Sequence, residues 1–421
     1  MDALYIRGGR PLSGTVTIHG AKNGVLPLLA ATLLVPGVTV LKNCPDLSDV
    51  RTALSILTHL GCRVSRADDT VTVDASAPVR ADIPDALMRR MRSSIVFLGA
   101  ILARCGEAEL TYPGGCELGP RPIDLHLSSL RRLGAQIREE HGRILCRAPD
   151  GLRGAPVALS FPSVGATEDV LLAACTAEGT TVLHGAAREP EIGDLAAFLT
   201  ACGARIGTAE DGSLTVEGTR TLHGCTHTVL PDRIETSTYL AAAAATGGEL
   251  TLLSCRPAHL TPVLSLLEDA GCRLTVGEDA LHIAAPPRLR PFGTVRTLPY
   301  PGFPTDAAAP LLAAACTADG ASIFVETIFE NRYKYVDELI RMGAQIRVDG
   351  RVAVTVGVPQ LQSGRAECTD LRGGAALVVA ALAAQGESRI CGIAHLDRGY
   401  AALPEQLRAV GADVRRAPDR P

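Results

Sequence analysis

"LTHLGCRVSRADDTVTV", residues 57–73, closes an apolar-periodic run on Gly61 and then alternates apolar and polar residues on either side of an Asp-Asp turn. A glycine after the last periodic residue suits the left-handed position just past a helix, and the alternation suits a short hairpin. The pattern returns in "LRRLGAQIREEHGRILC" (130–146), "LTACGARIGTAEDGSLTV" (199–216), "LEDAGCRLTVGEDALHI" (267–283), "LIRMGAQIRVDGRVAVTV" (339–356) and "LRAVGADVRRA" (407–417). Its glycines, Gly61, Gly134, Gly203, Gly271, Gly343 and Gly411, stand 68 to 73 residues apart. A fixed period of this kind is the mark of an internally repeated fold.

A second repeat precedes each of these glycines by 23 to 28 residues: an Ala/Leu-rich run, a glycine and a β-like stretch, as in "LLAATLLVPGVTVL" (28–41) and "LLAAACTADGASIF" (311–324). Runs that are apolar all round predict fully buried helices, whereas the helices before Gly61 and its equivalents carry charge on one face and belong outside. Each unit of about 70 residues therefore reads as two helices and about four strands, and six copies fill the 421-residue chain. The sixth unit ends near residue 419, and residues 1–21 read as its missing strands. The expectation is an α/β (α+β) chain of two similar lobes, each of three repeated units. The first spans 22–229 and the second combines 1–21 with 230–421. Two crossings of the chain join them and form a natural hinge.

Bulk properties narrow the function. A formal charge of −4 removes any global positive field, and 3% aromatic residues with no Trp leave little for base stacking, so nucleic acid is not an expected partner. Thirteen cysteines, an odd number with no CxxC pair, read as reduced core residues. The N-terminus lacks the layout of a signal peptide, and no apolar run approaches about 18 residues free of Gly, Pro and charge. A cytoplasmic protein with no membrane partner is expected. The ten histidines are scattered, and only His223 and His227 keep an i, i+4 spacing, in a Gly/Thr-rich segment, so neither a metal nor a cofactor is expected.

Several polar clusters interrupt the repeats at loops. "GAKN" (20–23) sets Lys22 and Asn23 before a helix that Asn23 is suited to cap, with Pro27 in the first turn; this is either a cap with a solvated lysine or an anion site. Arg92 in "MRSSI", Arg332 in "ENRY", Asp370 and Arg372 in "TDLRGG" and Arg398 in "LDRGY" sit where a strand or loop meets a helix. Singly each arginine reads as a surface ion pair; jointly they suit carboxylate and phosphate groups. Asp306 ends the rigid loop of "YPGFPTDAAAP" (300–310) and reads either as a helix N-cap or as a general base. Glu189 and Glu191 in "REPEI", and Asp232, Arg233 and Glu235 in "PDRIE", read mainly as structural ion pairs near the hinge. "PGGCELGPRPIDLH" (113–126) places Cys116 and Arg121 among glycines and prolines that break both helix and strand.

Taken with "FPSVGATE" (161–168), these motifs resemble, in order and over nearly the whole chain, those of the UDP-N-acetylglucosamine 1-carboxyvinyltransferase family, enolpyruvyl transferases of peptidoglycan synthesis. The resemblance implies two lobes of inside-out α/β barrel with the active site between them, and transfer of the enolpyruvyl group of phosphoenolpyruvate to the sugar 3′-hydroxyl through a tetrahedral adduct. It implies that Cys116 protonates the enol carbon, that Asp306 takes the hydroxyl proton, and that Lys22, Arg121 and Arg398 hold phosphoenolpyruvate. Arg92, Arg332 and Arg372, with Asp370, would complete a cationic cleft. Asn23, the run Arg121, Pro122, Ile123, Asp124 and Leu125, then Ser163, Val164, Gly165, Asp306 and Ile328, match positions that hold the nucleotide sugar. A monomer and sensitivity to the epoxide antibiotic fosfomycin are also expected. The chain carries Phe161 and Ser48 where some members carry lysine.

The glycine-hinged loop gives the cysteine a physical rationale. A free thiol titrates at about 8.5, and neighbouring cations draw it toward thiolate, which cannot donate a proton. Arriving phosphate and carboxylate groups reverse that effect and restore the acid. The sister transferase acting on shikimate 3-phosphate resembles the architecture but lacks the cysteine loop, and a non-catalytic nucleotide-sugar-binding paralogue would have no use for a proton donor; these are the two alternatives.

Overall fold

The computed structural model describes residues 2–114, 118–119 and 122–419. Cys116 and Arg121 lie outside the described residues. The chain divides into two compact units, one comprising Gly20–Cys116 and Arg121–Leu230, the other Met1–His19, Glu117–Pro120 and Pro231–Pro421. Each unit holds three sheets.

In the unit centred on residues 20–230 the sheets are Thr226–Thr228, Val38–Lys42, Thr70–Asp74 and Arg63–Ala67; Glu107–Thr111, Arg143–Arg147 and Gln136–Glu140; and Arg205–Thr208, Leu214–Glu217, Thr180–His184 and Pro156–Ala158, each in spatial order. The other unit repeats the plan with Arg273–Val276, Ala280–Ala284, Glu249–Leu253 and Ser13–Thr17; Gly293–Arg296, Ala321–Val325, Val352–Val356 and Gln345–Asp349; and Arg365–Glu367, Glu387–Cys391, Asp2–Arg7 and Asp413–Pro418. Among the described residues five sheets have four strands and one has three, and none of them closes on itself. The fold is mixed α/β.

The period-2 pattern sets the register of each hairpin. Opposite "DD" at 68–69, Arg63–Ala67 pairs antiparallel with Thr70–Asp74, so Val71 and Val73 share the buried face. The six glycines that follow the outer helices all have positive φ, between 90° and 106°, where a Cβ would strain the backbone. The Ala-rich runs form helices buried on every side: Leu371–Ala383 is buried at every residue but the last. In the unit that holds it, this helix packs against Arg233–Thr246 and Thr305–Ala315, and those two pack against each other. Alanine faces let helix axes approach closely.

The N-terminal strands depart from the sequence reading in one respect. Asp2–Arg7 lies antiparallel between Glu387–Cys391 and Asp413–Pro418, inside the sixth sheet. Ser13–Thr17 instead pairs parallel with Glu249–Leu253 of the fourth repeat, while Thr226–Thr228 pairs parallel with Val38–Lys42 of the first. Each parallel edge strand elsewhere comes from the stretch ahead of a buried helix, as Pro156–Ala158 and Gly293–Arg296 do. At the two chain crossings these strands are exchanged, so each unit completes its own sheets.

Candidate active site

In the unit that holds Thr305–Ala315, two buried arginines converge on one carboxylate. Arg332 donates from Nη2 to Asp306 Oδ1 at 2.8 Å and to the Thr305 carbonyl at 3.1 Å; Arg372 donates from Nε to Asp306 Oδ2 at 3.1 Å. Both arginine side chains are 3% exposed, whereas Asp306 is 26% exposed, so the carboxylate is the accessible member. Asp306 is not the helix N-cap: that position is Pro304, without a side-chain cap, and Asp306 is the second residue of the helix. A carboxylate there also gains from the helix dipole.

Arg372 also donates to the Tyr400 hydroxyl at 3.1 Å, and that hydroxyl shares a 2.8 Å bond with Thr238. Burial opposes the Arg372 charge, but Tyr400, Asp306 and Asp232 outweigh it and hold the guanidinium firmly protonated. Arg332 lies over the Phe329 ring at 5.5 Å. Asp370 caps helix Leu371–Ala383, its Oδ1 accepting from the backbone N–H of Arg372 and Gly373 at 3.1 and 2.9 Å. This cap orients the turn that carries Arg372. Arg398 ends the short 3-10 helix Ile393–Arg398 and is partly exposed. Ile328 follows strand Ala321–Val325, where its N–H is bound by the Glu326 carboxylate at 2.7 Å.

In the unit centred on residues 20–230, Lys22 begins helix Lys22–Thr32 and is 8% exposed, paired to Asp49 at 3.0 Å. It is therefore no solvated lysine. Asn23 is not the cap either: Ala21 occupies that position and Asn23 lies inside the first turn, with Pro27 deeper in the helix. Arg92 begins the 3-10 helix Arg92–Val96 and is half-buried. Ser163 caps helix Val164–Ala174 through a 3.4 Å bond from Ala166 N–H. Phe161, just ahead, is exposed. Pro122 and Ile123 lead into helix Asp124–Arg132, whose first turn holds Asp124 and Leu125.

The two helix N-termini lie side by side. A Cβ at Gly165 would come within 2.8 Å of the His126 ring, so any larger residue there would have to displace it. His126 is locked in turn by a 2.6 Å bond to the buried Asp169, whose other oxygen accepts from Gly99 N–H at 2.9 Å. Burial pushes the Asp169 carboxyl up, against the pull of His126. Two adjacent N-termini make a favourable place for an anion such as a diphosphate.

Sequence reasoning missed Asp49, His126, Asp169, Tyr400, Thr238 and Glu326. His126 and Tyr400 stood inside quoted motifs, yet nothing local marks their partners, which lie 43 and 162 residues away. Asp232 proves to be the N-cap of helix Arg233–Thr246, and Glu235 pairs with His19 at 2.9 Å. His227 pairs with Asp194 at 2.9 Å. Among the described residues no group of three or more His, Cys, Asp or Glu is placed to hold a metal ion, and no helix is long and apolar enough to cross a membrane.

Residues 6–407 match the family described as EPSP synthase (3-phosphoshikimate 1-carboxyvinyltransferase). The chain is 48% identical to UDP-N-acetylglucosamine 1-carboxyvinyltransferase 2 of Caldanaerobacter subterraneus subsp. tengcongensis, covering 98% of this chain and 99% of that one. It is 48% identical to UDP-N-acetylglucosamine 1-carboxyvinyltransferase of Dichelobacter nodosus, covering 99% of each. Among solved structures, the enolpyruvyl transferase NikO from Streptomyces tendae superposes with a TM-score of 0.90 at 28% identity, covering 99% of both chains. EPSP synthase from Acinetobacter baumannii shares the fold, with a TM-score of 0.75 at 19% identity, covering 99% of this chain and 100% of that one. The chain belongs to the EPSP synthase family of enolpyruvyl transferases and, within it, to the UDP-N-acetylglucosamine 1-carboxyvinyltransferases.

Proposed function

We propose that the chain transfers the enolpyruvyl group of phosphoenolpyruvate to the 3′-hydroxyl of UDP-N-acetylglucosamine and releases phosphate. The observation that carries this reading is the Asp306 carboxylate, accessible to solvent yet fixed by two buried guanidinium groups. The choice of acceptor is supported by the names of the relatives at 48% identity.

In the proposed reaction Asp306 takes the proton of the 3′-hydroxyl as its oxygen bonds to C2 of phosphoenolpyruvate. Cys116 gives a proton to C3, which becomes a methyl group, and a tetrahedral adduct results. Loss of a methyl proton then re-forms the C2–C3 double bond as the C2–O bond to phosphate breaks. Lys22, Arg121 and Arg398 hold phosphoenolpyruvate, and Arg92, Arg332, Asp370 and Arg372 complete its surroundings. Asn23, Pro122, Ile123, Asp124, Leu125, Ser163, Val164, Gly165 and Ile328 hold the nucleotide sugar. The adjacent helix N-termini at Asp124 and Val164 support diphosphate binding there. In the same reading each unit is an inside-out α/β barrel, with open sheets around buried helices, and the enzyme is a cytoplasmic, fosfomycin-sensitive monomer serving peptidoglycan synthesis.

Phosphate release from phosphoenolpyruvate tests the proposal, with UDP-N-acetylglucosamine and shikimate 3-phosphate as alternative acceptors. Release with the first alone is expected, falling by about 10²–10⁴-fold in Asp306→Asn. Release with shikimate 3-phosphate, or an Asp306→Asn variant as fast as the parent, contradicts it.

A further inference from the structure

Glu326 is 2% exposed, and among the described residues no Lys or Arg forms an ion pair with it. Its charge is met by four hydrogen-bond donors instead. Oε1 accepts from the Thr297 hydroxyl at 3.0 Å, from Ile328 N–H at 2.7 Å and from Phe329 N–H at 3.0 Å; Oε2 accepts from the Thr305 hydroxyl at 2.8 Å. A buried carboxylate is costly unless its oxygens are fully engaged, so a fold that only needed a turn here would have a cheaper choice.

The four donors come from three segments that meet at Asp306. Thr305 precedes Asp306 in the helix, and its carbonyl is gripped by Arg332. Ile328 and Phe329 open the turn that leads to Arg332, and Phe329 lies beneath its guanidinium. Thr297 follows strand Gly293–Arg296 and leads into the Pro/Gly loop before Asp306, and its hydroxyl also accepts from Thr327 N–H at 2.9 Å. One carboxylate thus ties the carrier of Asp306 to the carrier of the arginine that holds it. We propose that Glu326 is a positioning residue for the enolpyruvyl transfer, fixing the Asp306 carboxylate through the Thr305 hydroxyl and the 328–329 turn. This rests on the reading of Asp306 as the base.

Glu326 touches no reacting atom in this scheme, but its loss also frees the turn that carries Ile328; Thr305→Val spares the bonds to Ile328 and Phe329 and isolates the effect on the base. A misplacement of about 1 Å at a reacting group costs up to about 100-fold in rate. Glu326→Gln can keep the three Oε1 bonds and turn its amide N–H toward a Thr305 hydroxyl that now accepts. Thr305→Val removes the Oε2 link without disturbing the buried carboxylate's other donors, and Thr305→Ser retains it.

The test measures kcat and KM for both substrates, per mole of folded enzyme, in Glu326→Ala, Glu326→Gln, Thr305→Val, Thr305→Ser and the double variant Glu326→Ala/Thr305→Val. The expected result is a kcat lowered about 10–100-fold in Glu326→Ala and Thr305→Val, KM within about threefold in Thr305→Val, rescue by Glu326→Gln and Thr305→Ser, and a double variant no slower than Glu326→Ala. A Thr305→Val enzyme with the parent's kcat overturns the proposal even where Glu326→Ala fails to fold; so do losses that multiply in the double variant. An inactive Asp306→Asn beside a fully active Thr305→Val sinks this inference alone, whereas an active Asp306→Asn sinks the reading beneath it.

Discussion

At the scale of single residues, the twelve described cysteines are free, and ten of them are buried. Burial pushes the thiols of Cys175, Cys272 and Cys316 up to about 12, and does the same for Cys44 and Cys146 with small adjustments from nearby charges. Such groups supply almost no thiolate at neutral pH, and electrophiles react with thiolate. An epoxide phosphonate added with UDP-N-acetylglucosamine is therefore expected to modify the peptide bearing Cys116 and leave the core peptides unchanged by mass spectrometry. Modification elsewhere, or none, speaks against the role given to Cys116. Asp306 drew notice in the sequence because a Pro/Gly loop runs directly into the Ala-rich helix that carries it, and Cys116 because glycines and prolines surround it in the chain. Glu326 was not, since a glutamate after "SIFV" looks like any solvated carboxylate until its four donors are brought together from 29 residues before to three after.

At the scale of elements, the six helix-ending glycines were readable because helix periodicity and left-handed backbone are both local properties. Gly411 isolates the conformational part: φ is +90° and no atom lies within 4 Å of where a Cβ would stand. Gly411→Ala is expected to cost about 1–2 kcal/mol from backbone strain alone, read by denaturant unfolding. An unchanged midpoint contradicts the left-handed reading. The exchange of Ser13–Thr17 and Thr226–Thr228 was not readable, because strands of five and three residues carry no information about which neighbour they will join.

A pH effect belongs to the same scale, where helix Arg233–Thr246 meets the N-terminal segment. The His19 imidazole is raised above 6.5, chiefly by its hydrogen bond to Glu235 and against burial; burial raises the Glu235 carboxyl as well. Both shifts make the native state hold more protons than the unfolded chain. The stability from His19 is thus fully present below about pH 6.5 and lost as pH rises through the higher native value. The melting-temperature gap between the parent and His19→Gln should be wider at about pH 6 than at about pH 8.5. A gap that widens with pH contradicts the pairing.

For the whole molecule, the period of 68 to 73 residues announced six units, and the described residues form six sheets, three in each compact unit. Repetition survives in sequence because each unit needs the same glycine, the same buried Ala-rich face and the same alternation. Chemistry does not repeat: Asp306 and Arg332 come from the fifth repeat and Arg372 from the sixth, and the three meet only in the fold. The His126–Asp169 pair is equally invisible along the chain, since each partner alone passes for an ordinary helix residue.

Enolpyruvyl transfer by addition and elimination leaves an isotopic trace that simple group displacement does not. On the proposed route run in deuterium oxide, the Cys116 thiol delivers deuterium, C3 becomes a CH2D group, and elimination retains deuterium in part of the product. Mass spectrometry of the enolpyruvyl UDP-N-acetylglucosamine formed should show deuterium in the vinyl methylene. A UDP-sugar product that forms at full rate with an undeuterated methylene, or no such product at all, would contradict it.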